Sequence, residues 1–337
     1  MGSSVCIIKG LTMSLIQQDF ETIIVDSSFH HTNLPTLISP TNSANWQDCI
    51  HEIKQLVEQQ LHRTGGFLFR GFNVQGAEVF NQFARAFNHD LLNYDYASTP
   101  RSEVSGGVYT STEYPAHQVI PLHNEQAYTL NWPLKIWFHC VTASEVGGET
   151  PIADSREVYK KIAPEIRERI EQRGLLYVRN YGNGLDLSWQ KAFGTEDKLQ
   201  VEKFCHANNI TFTWKDDGEL QTKQNCQVVA RHPKSNDIVW FNQAHLFHVS
   251  NLAPNIKETL ISIVGEDNLP RNVYYGDGTP IEDETLDHVR SVLDECKISF
   301  PWQQGDIMML DNMLTAHGRS TFSGDRKVIV AMAEPHS

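Results

Sequence analysis

The first clear hydrophobic pattern along the chain is helical. Apolar side chains recur at three- and four-residue steps over residues 46–61, which predicts an amphipathic helix that ends at Gly65 and Gly66. The apolar, aromatic run 67–71 then predicts a short strand, and residues 77–87 predict a second helix.

Most of the later apolar runs predict strands. Near-continuous apolar stretches of four to eight residues are typical of strands that are buried on both faces of a sheet. The predicted strands lie at 108–122, where Pro115 interrupts the run, and at 134–141, 150–153, 225–230, 306–310 and 328–332.

Three later segments carry helical patterns. Asp154 is placed to cap a helix over residues 154–173, with Glu157 three residues on as in a capping box. Pro164 predicts a kink inside that helix, because proline removes a backbone hydrogen bond. The other two helices are predicted at 196–206 and 281–296.

Strands dominate both ends of the chain, with helices between them. No internal repeat, low-complexity segment or Pro/Gly-rich linker divides the pattern. We therefore predict a single α+β domain over residues 21–337, built on a β-sandwich, and a flexible N-terminal extension over residues 1–20.

Composition and charge limit the classes of partner that the protein can bind and indicate its cellular compartment. The 337 residues are 40% hydrophobic and 20% charged, as in a globular protein with a sizeable core. The net charge of −13 argues against nucleic acid or an anionic membrane as partner, and no apolar run is long enough to span a bilayer. The six cysteines are scattered without a CxxC pair, which predicts reduced thiols in a cytoplasmic protein.

Candidate chemistry begins in the stretch 121–125, Pro-Leu-His-Asn-Glu. Residues i and i+2 of a strand point to the same face, so His123 and Glu125 can reach one common point. This pair fits part of a facial triad of two histidines and one carboxylate, which suits non-haem Fe(II) oxygenases. In a chain with 15 histidines and 41 acidic residues an HxE tripeptide also arises by chance. The downstream residues therefore determine whether this pair is interpreted as part of a metal site.

Three downstream features complement the pair. The stretch 147–150 is Gly-Gly-Glu-Thr and ends with a hydroxyl at Thr150. The apolar run 308–310 leads into a polar turn that carries His317, and Arg326 follows nine residues later. They supply a second imidazole and a guanidinium, whose fork binds both oxygens of a carboxylate.

Taken together, the stretches 123–125, 147–151, 240–243 and 311–319 resemble the TauD/TfdA family of Fe(II)- and 2-oxoglutarate-dependent dioxygenases. The resemblance runs over residues 66–332. It is nearest to the branch with HxE in place of HxD, which contains the clavaminate synthase-like and SyrP-like amino-acid hydroxylases. It implies a double-stranded β-helix, or jelly-roll, core with flanking helices and insertions.

The resemblance also implies roles for residues. The residues that it implies as Fe(II) ligands are His123, Glu125 and His317. It implies that Thr150 and Arg326 bind 2-oxoglutarate, with O2 as the second cosubstrate. Arg319 is the rival for the 2-oxoglutarate carboxylate, but it lies two residues from the metal ligand and would be crowded there.

Substrate contacts are expected from polar side chains in and before the triad strand. These are Tyr109, Ser111, Glu113, Gln118 and Asn124. The Gly/Asp-rich loop 271–278 predicts a mobile lid. Among the other histidines, His139 is expected in the core, while His117 and His232 can border the pocket or lie in solvated loops. His245 and His248 can share a helix face, but no carboxylate stands at matching spacing.

The expected reaction is hydroxylation of an aliphatic C–H bond in natural-product biosynthesis, with succinate and CO2 as co-products. The expected substrate is an amino acid or a small molecule derived from one, free or tethered to a carrier protein. Glu125 argues against halogenation, because related halogenases have a small residue there that leaves space for halide. Desaturation and cyclisation stay open, as do a zinc hydrolase with the same ligands and a non-catalytic jelly-roll binding protein.

Overall fold

The computed structural model describes residues 20–29, 33–93, 96, 98–99, 101–182, 184–216 and 218–337. The predicted N-terminal extension therefore lies almost entirely outside the described residues. Within the described ranges, no helix has the length and apolar character needed to cross a membrane. The five cysteines that are described form no disulfide.

Strands and helices alternate along the described chain, with the longest strands near the middle and the end. The strands are β1 Ile23–Asp26, β2 Thr36–Pro40, β3 Gly66–Phe69, β4 Glu103–Ser105, β5 Val108–Thr110, β6 Ile120–His123, β7 Trp132–Thr142, β8 Val146–Gly147, β9 Ile152–Asp154, β10 Leu175–Tyr181, β11 Thr211–Trp214, β12 Leu220–Cys226, β13 Val229–Arg231, β14 Ile238–Trp240, β15 Arg271–Tyr275, β16 Ile307–Asp311, β17 Thr315–Arg319, β18 Phe322–Ser323 and β19 Lys327–His336. The helices are α1 Trp46–Thr64, α2 Gly76–Arg85, α3 Ser155–Lys161, α4 Pro164–Arg173, α5 Trp189–Phe193, α6 Lys198–Ala207, α7 Ala244–Phe247, α8 Pro254–Val264 and α9 Asp283–Glu295.

An eight-stranded sheet forms the larger wall of the core, in the order β1-β2-β3-β16-β7-β19-β5-β4. Along its central strand β7, successive side chains point to opposite faces of the sheet, as in any β-strand. Trp137 points to the face that α1 and α2 cover, where it packs 5.9 Å from the ring of Phe87. Phe138 points to the other face, where its ring lies 4.8 Å from that of His317 on β17.

The smaller wall is the three-stranded sheet β6-β17-β9, and β18 pairs with β8 beside it. The two sheets face each other and are antiparallel apart from the parallel pair β2 and β3, and together they form the jelly-roll core predicted above. Between β9 and β16 the chain makes an insertion, whose sheet β11-β12-β10-β15 packs with helices into a second hydrophobic cluster. The insertion lies beside the open end of the smaller wall and supplies one side of the large cavity described below.

The predicted first helix is confirmed as α1. Its apolar stripe is buried, and the chain leaves it through Gly65, whose φ of 84° lies in the left-handed region that favours glycine. The backbone N–H of Gly65 closes the last turn on the carbonyl of Leu61 at 2.8 Å. The strands predicted at 134–141, 306–310 and 328–332 are confirmed as β7, β16 and β19.

Two of the predicted elements are wrong in extent. Asp154 does cap a helix, by accepting from the backbone N–H of Arg156 at 2.8 Å, but that helix ends at Lys161. Pro164 starts the separate helix α4 instead of kinking a continuous one, because proline suits the first turn, where no backbone N–H is needed. The strand predicted at 225–230 is split between β12 and β13.

The prediction of a mobile lid at 271–278 is also wrong. Residues 271–275 form β15, which pairs along its length with β10, and Val273 and Tyr275 are fully buried. The glycines and aspartate of this stretch form the turn that follows the strand. The composition of this stretch could not distinguish a mobile loop from an ordered turn, because Gly and Asp are common in both.

The first testable prediction concerns a buried ion pair of the large sheet. Arg70 donates to both carboxylate oxygens of Asp306, at 3.0 and 2.7 Å, and the Asp306 side chain is 1% exposed. Arg70→Ala leaves that charge buried without its partner, and we expect a loss of about 3–5 kcal/mol in the free energy of unfolding. The measurement is urea unfolding. As a control, Lys160→Ala removes an exposed pair with Glu157 and should leave the midpoint unchanged; equal behaviour of the two variants would contradict the prediction.

Candidate active site

Two histidines face each other across paired strands. In the antiparallel register of β6 and β17, His123 lies directly opposite His317, and their ring centroids are 4.6 Å apart. The ligand atoms of His123, Glu125 and His317 all lie within 4.8 Å of one another. The structure therefore brings together three residues that are separated by up to 194 positions in the chain.

Glu125 reaches this point from a turn and not from the strand assumed in the sequence analysis, because β6 ends at His123. Asn312, which is fully buried, holds the turn. Its side-chain oxygen accepts from the backbone N–H of Glu125 at 2.7 Å, and its amide donates to the carbonyl of Glu125 at 2.9 Å. The same amide donates to the carbonyl of Pro133 at 2.9 Å. This two-point contact fixes where the Glu125 backbone lies.

The protonation states suit a metal. The Nδ1–H of His123 donates to the carbonyl of Pro121 at 2.8 Å, which leaves the lone pair on Nε2. Burial, helped by the nearby His317, lowers the pKa of His123 to about 3. Burial raises the pKa of Glu125, but the Arg101 guanidinium and the two imidazoles outweigh it and hold that pKa below its usual range. At neutral pH the site offers a neutral imidazole and a carboxylate, the forms that bind metals.

His317 adds a sign that the site is built for an ion. Its Nδ1 is buried and has no hydrogen-bond partner among the described residues, while its Nε2 lies 3.7 Å from Oε2 of Glu125. Buried polar atoms without partners are rare, and leaving one unsatisfied costs about 1–3 kcal/mol. Two imidazoles and one carboxylate fit Fe(II).

Arg101 contacts this group, and the sequence analysis missed it. Its Nη2 donates to Oε2 of Glu125 at 2.7 Å, and both side chains are buried, at 4% and 3% exposure. Arg101 lies in an irregular polar segment next to Pro100 with no hydrophobic period. No local pattern could have indicated it, because the contact depends on a residue 24 positions away.

A second arginine, Arg326, is partly buried and lines the same small cavity as His317. Arg326 donates through Nε to the carbonyl of Gly148 at 2.7 Å, and its two terminal nitrogens lie 3.5 Å from the hydroxyls of Ser111 and Thr150. No carboxylate lies within ion-pair distance of it among the residues described, and burial lowers its pKa to about 10. The hydroxyl of Thr150 accepts from Nε1 of Trp302 at 3.1 Å. A partly buried guanidinium with two hydroxyls beside it fits a carboxylate ligand.

Glycine is required beside this arginine. Gly148 has a φ of 73°, and a Cβ there would collide with Ser144 and come within 3.0 Å of Cδ of Arg326. The Gly-Gly pair of the sequence pattern therefore allows the backbone to approach the guanidinium closely.

Arg319, the alternative to Arg326 for binding the 2-oxoglutarate carboxylate, makes different contacts. Its guanidinium donates to four backbone carbonyls, at 2.7–3.3 Å, which are those of Thr112, Tyr114, Pro115 and Gln118. It thereby holds the irregular segment that precedes β6 and forms one rim of the site. Its donors face the protein backbone, so it is not placed to take a ligand carboxylate.

Two cavities meet at the triad. The larger, of about 700 Å³, extends toward the insertion, and the smaller, of about 30 Å³, contains Thr150 and Arg326. They share wall residues, including Arg101 and His123. An opening on one side and a narrow arginine-lined recess on the other fit a substrate and a cosubstrate that approach one metal from different directions.

The predicted substrate contacts lie in different places. Gln118 lines the large cavity, and Ser111 lines the small one beside Arg326. Asn124 and Tyr109 line neither. The Asn124 amide is used internally, in bonds to Ser155 and to the Asn312 carbonyl, and Tyr109 packs in the core of the large sheet. Glu113 is an exposed residue that lines neither cavity.

Four of the other histidines named in the sequence analysis are buried and have local partners, and the fifth, His117, is exposed. His139 is buried and stacks on Phe80 with ring centroids 5.1 Å apart, as expected for the core. His245 contacts the carbonyl of Leu122, and His248 contacts the hydroxyl of Ser250 at the edge of the large cavity. His232 pairs with Asp311 at 2.9 Å and borders a separate cavity.

Comparison with known proteins agrees with this geometry. The family model described as taurine catabolism dioxygenase TauD, TfdA family, matches residues 32–332. The dapdiamide synthesis protein DdaC of Enterobacter agglomerans is 43% identical over 279 residues, which cover 83% of this chain and 85% of that protein. A clavaminate synthase-like protein of Arabidopsis thaliana is 33% identical over 292 residues, with the same two coverages.

Solved structures share the fold at low identity. PvcB of Pseudomonas aeruginosa aligns with a TM-score of 0.51 at 16% identity, covering 88% of this chain and 84% of its own. A taurine dioxygenase of Burkholderia xenovorans aligns with a TM-score of 0.50 at 16% identity, covering 93% and 91%. At such identities these two comparisons support the jelly-roll fold and carry no information on substrate.

The second prediction follows from the contact between Asn312 and Glu125. Asn312→Ala removes the two hydrogen bonds that fix the Glu125 backbone, so we expect the affinity for Mn(II), a redox-stable probe, to fall 10- to 100-fold in calorimetric titration. Asn180→Ala is the matched control. Asn180 is also buried and its amide also bonds two backbone carbonyls, but it lies on β10 in the insertion. The control should lose stability and keep its Mn(II) affinity; equal Mn(II) affinity in both variants would contradict the prediction.

Proposed function

The chain belongs to the TauD/TfdA family of Fe(II)- and 2-oxoglutarate-dependent dioxygenases, and we propose that it hydroxylates an aliphatic C–H bond of a small molecule in natural-product biosynthesis. The proposed substrate is an amino acid or a compound derived from one, free or presented by a carrier protein. The convergence of His123, Glu125 and His317 beside the partly buried Arg326 is the observation that carries the proposal.

We assign iron binding to the three converging residues. Nε2 of His123, a carboxylate oxygen of Glu125 and a ring nitrogen of His317 would hold the metal, and three protein ligands would leave room for 2-oxoglutarate and O2 to bind it. When bound, Fe(II) and 2-oxoglutarate activate O2 for oxidation of the substrate C–H bond and yield succinate and CO2. The chain holds its three ligands in place through the β6–β17 pairing and through Asn312.

We assign 2-oxoglutarate binding to Arg326 and Thr150. The guanidinium can bind both oxygens of the distal carboxylate, and the Thr150 hydroxyl is free to rotate and donate to it. The partial burial of Arg326 lowers the local dielectric, which strengthens the charge interaction. A zinc hydrolase with the same three ligands would not need Arg326 or Thr150.

The biosynthetic setting is supported by a relative. DdaC is named as a dapdiamide synthesis protein, and this chain is 43% identical to it. The ionised Glu125 occupies the position that a halide would need, so oxygen transfer is favoured over halogenation. Desaturation and cyclisation use the same ligands and would differ only in how the substrate lies in the large cavity.

The third prediction tests the cosubstrate assignment. Arg326→Ala should weaken 2-oxoglutarate binding about 10- to 100-fold, as expected for the loss of a hydrogen bond to a charged group. The measurement is titration of the visible charge-transfer band that forms anaerobically with Fe(II) and 2-oxoglutarate. Lys327→Ala, which removes the exposed neighbouring cation, is the control and should titrate like the unmodified protein. Unchanged titration in the Arg326 variant would remove Arg326 from the site.

The fourth prediction tests the reaction itself. In a screen over amino acids and their N-acyl derivatives, succinate release should need Fe(II), 2-oxoglutarate and O2 together and should rise with the true substrate. Hydroxylation adds one oxygen atom to the product, whereas desaturation and cyclisation remove two hydrogen atoms, and mass spectrometry separates them. His317→Ala should abolish release. Turnover without 2-oxoglutarate or O2 would contradict the proposal and favour a hydrolase.

A further inference from the structure

We infer that the substrate of this enzyme carries a neutral amide group, whose N–H donates to Gln243 beside the metal site and whose carbonyl accepts from His248. This inference rests on the proposed function and deepens it, because it names the substrate class that the large cavity would take. It separates acylated amino compounds from free amino acids, which carry an ammonium, and from esters, which have no N–H.

Gln243 is anchored to the backbone between two of the proposed metal ligands. Its Nε2 donates to the carbonyl of Asn124 at 2.7 Å, and its backbone N–H donates to the hydroxyl of Tyr177 at 2.8 Å. The residue is 4% exposed and lines the large cavity together with His123 and Glu125. A substrate group that binds Gln243 would therefore be held close to the metal ligands, with its neighbouring carbon atoms near the site of oxidation.

The bond to Asn124 fixes which way the Gln243 amide faces. A backbone carbonyl can only accept, so Nε2 must be the atom that points to Asn124, and Oε1 lies on the other branch. Oε1 has no hydrogen-bond partner among the residues that the structure describes, and it is not fully enclosed by protein. An acceptor in the cavity wall without a protein donor fits an N–H group of a bound molecule.

His248 supplies a donor on the same wall. Its Nδ1 accepts from the backbone N–H of Ser250 at 3.2 Å and lies 2.8 Å from the Ser250 hydroxyl, which itself accepts from Arg290 at 2.9 Å. Because Nδ1 is an acceptor, the proton of the neutral ring lies on Nε2. Burial lowers the pKa of His248 to about 4, so the ring is neutral at neutral pH. His248 lines the large cavity, and within the described ranges its Nε2–H has no partner.

The acceptor and the donor together match an amide. Gln243 directly precedes α7 and His248 directly follows it, so their backbones are separated by about 7 Å along the axis of this short helix. A trans amide points its N–H and its carbonyl in opposite directions, so it can lie between two such groups. An ester keeps the carbonyl for His248 but would leave Oε1 of Gln243 without a donor.

The charges of the wall favour a neutral amide over an ammonium. The carboxylates among the described residues of this wall are Glu125 and Asp186. Glu125 accepts from Arg101 at 2.7 Å, and Asp186 accepts from Arg271 at 2.8 Å, so each already faces a cation. An ammonium would find no further carboxylate in the described wall to balance its charge, and burying an unbalanced charge is costly. An acylated nitrogen avoids that cost and keeps the N–H.

The wall between the two polar groups is apolar. Leu246 and Phe247 lie on α7 between Gln243 and His248, and Val249 follows directly, and all three line the cavity. Covering them with apolar substituents beside the amide would be favourable. The compounds in the experiment therefore vary in their side chain.

The experiment compares the N-acetyl derivatives of glycine, valine, leucine and phenylalanine with their ester analogues, in which oxygen replaces the N–H, and with the free amino acids. Each compound is titrated anaerobically into the Fe(II)- and 2-oxoglutarate-loaded protein, and the shift of the charge-transfer band is followed. We expect at least one N-acetyl compound to reach half-saturation at a concentration about tenfold or more below both its ester analogue and its free amino acid. A site that hydrogen-bonds an N–H rejects the analogue that lacks it, because a buried acceptor is left unpaired.

Two variants locate the two contacts. Gln243→Met should raise the half-saturating concentration of the best N-acetyl compound about tenfold and remove its advantage over the ester. His248→Phe should weaken the amide and the ester by similar factors and leave that advantage intact, because both compounds keep the carbonyl.

Gln224→Met is the matched control. Gln224 is also buried, and its Nε2 also donates to a backbone carbonyl, that of Asn208 at 2.8 Å, but it lines neither cavity. This variant should bind every compound like the unmodified protein.

The outcomes separate this inference from the proposed function. Absence of the band in the unmodified protein would count against the proposed function itself. With the band present, esters or free amino acids that bind as well as the N-acetyl compounds, or a panel in which no N-acetyl compound shifts the band, would overturn the inference alone. Equal losses for amide and ester in Gln243→Met would assign Gln243 to positioning the Asn124 backbone and would also overturn it, as would unchanged binding of the amide in His248→Phe.

Discussion

The site depends on one cross-strand pairing. Because β6 and β17 run antiparallel with His123 opposite His317, two imidazoles from distant parts of the chain share one face at contact distance. Glu125 joins them only because Asn312, on the turn before β17, bonds both backbone groups of Glu125. The turn that positions the carboxylate is thus tied to the segment that leads into the second histidine strand, so the three ligands are positioned as one unit.

Three buried or partly buried arginines around this unit are distinguished by what they contact. Arg319 is satisfied by backbone carbonyls and stabilises the rim, Arg326 has hydroxyls and one carbonyl beside it, and Arg101 bonds a ligand carboxylate. Burial makes each of these interactions stronger than it would be at the surface, and an unmatched charge costlier. The same residue type therefore holds structure in one place and favours an anionic ligand in another.

The core and the insertion contribute different parts of the site. The two facing sheets hold His123, His317 and the recess around Arg326, and the larger sheet is anchored by the long pairing of β7 with β19. The insertion between β9 and β16 contributes much of the apolar wall of the large cavity, through α7 and β15 among others. Substrate choice can therefore change through the insertion while the metal chemistry of the core stays the same.

The sequence alone was enough for the fold class and the family, because these depend on local patterns, whereas the roles it predicts for individual site residues stay predictions. The buried strands β7, β16 and β19 and the helix α1 follow from hydrophobic spacing, and the HxE pair, the distant histidine and Arg326 form a set that resembles one family. The tertiary structure alone decided the rest. Arg101 meets Glu125, and Asn312 holds its backbone, through contacts between segments that share no sequence period, and Arg319 and Arg326 differ only in the groups that surround them. Hydrophobic periodicity reports which face of an element is buried, but it carries no information on which polar groups meet once the elements have packed.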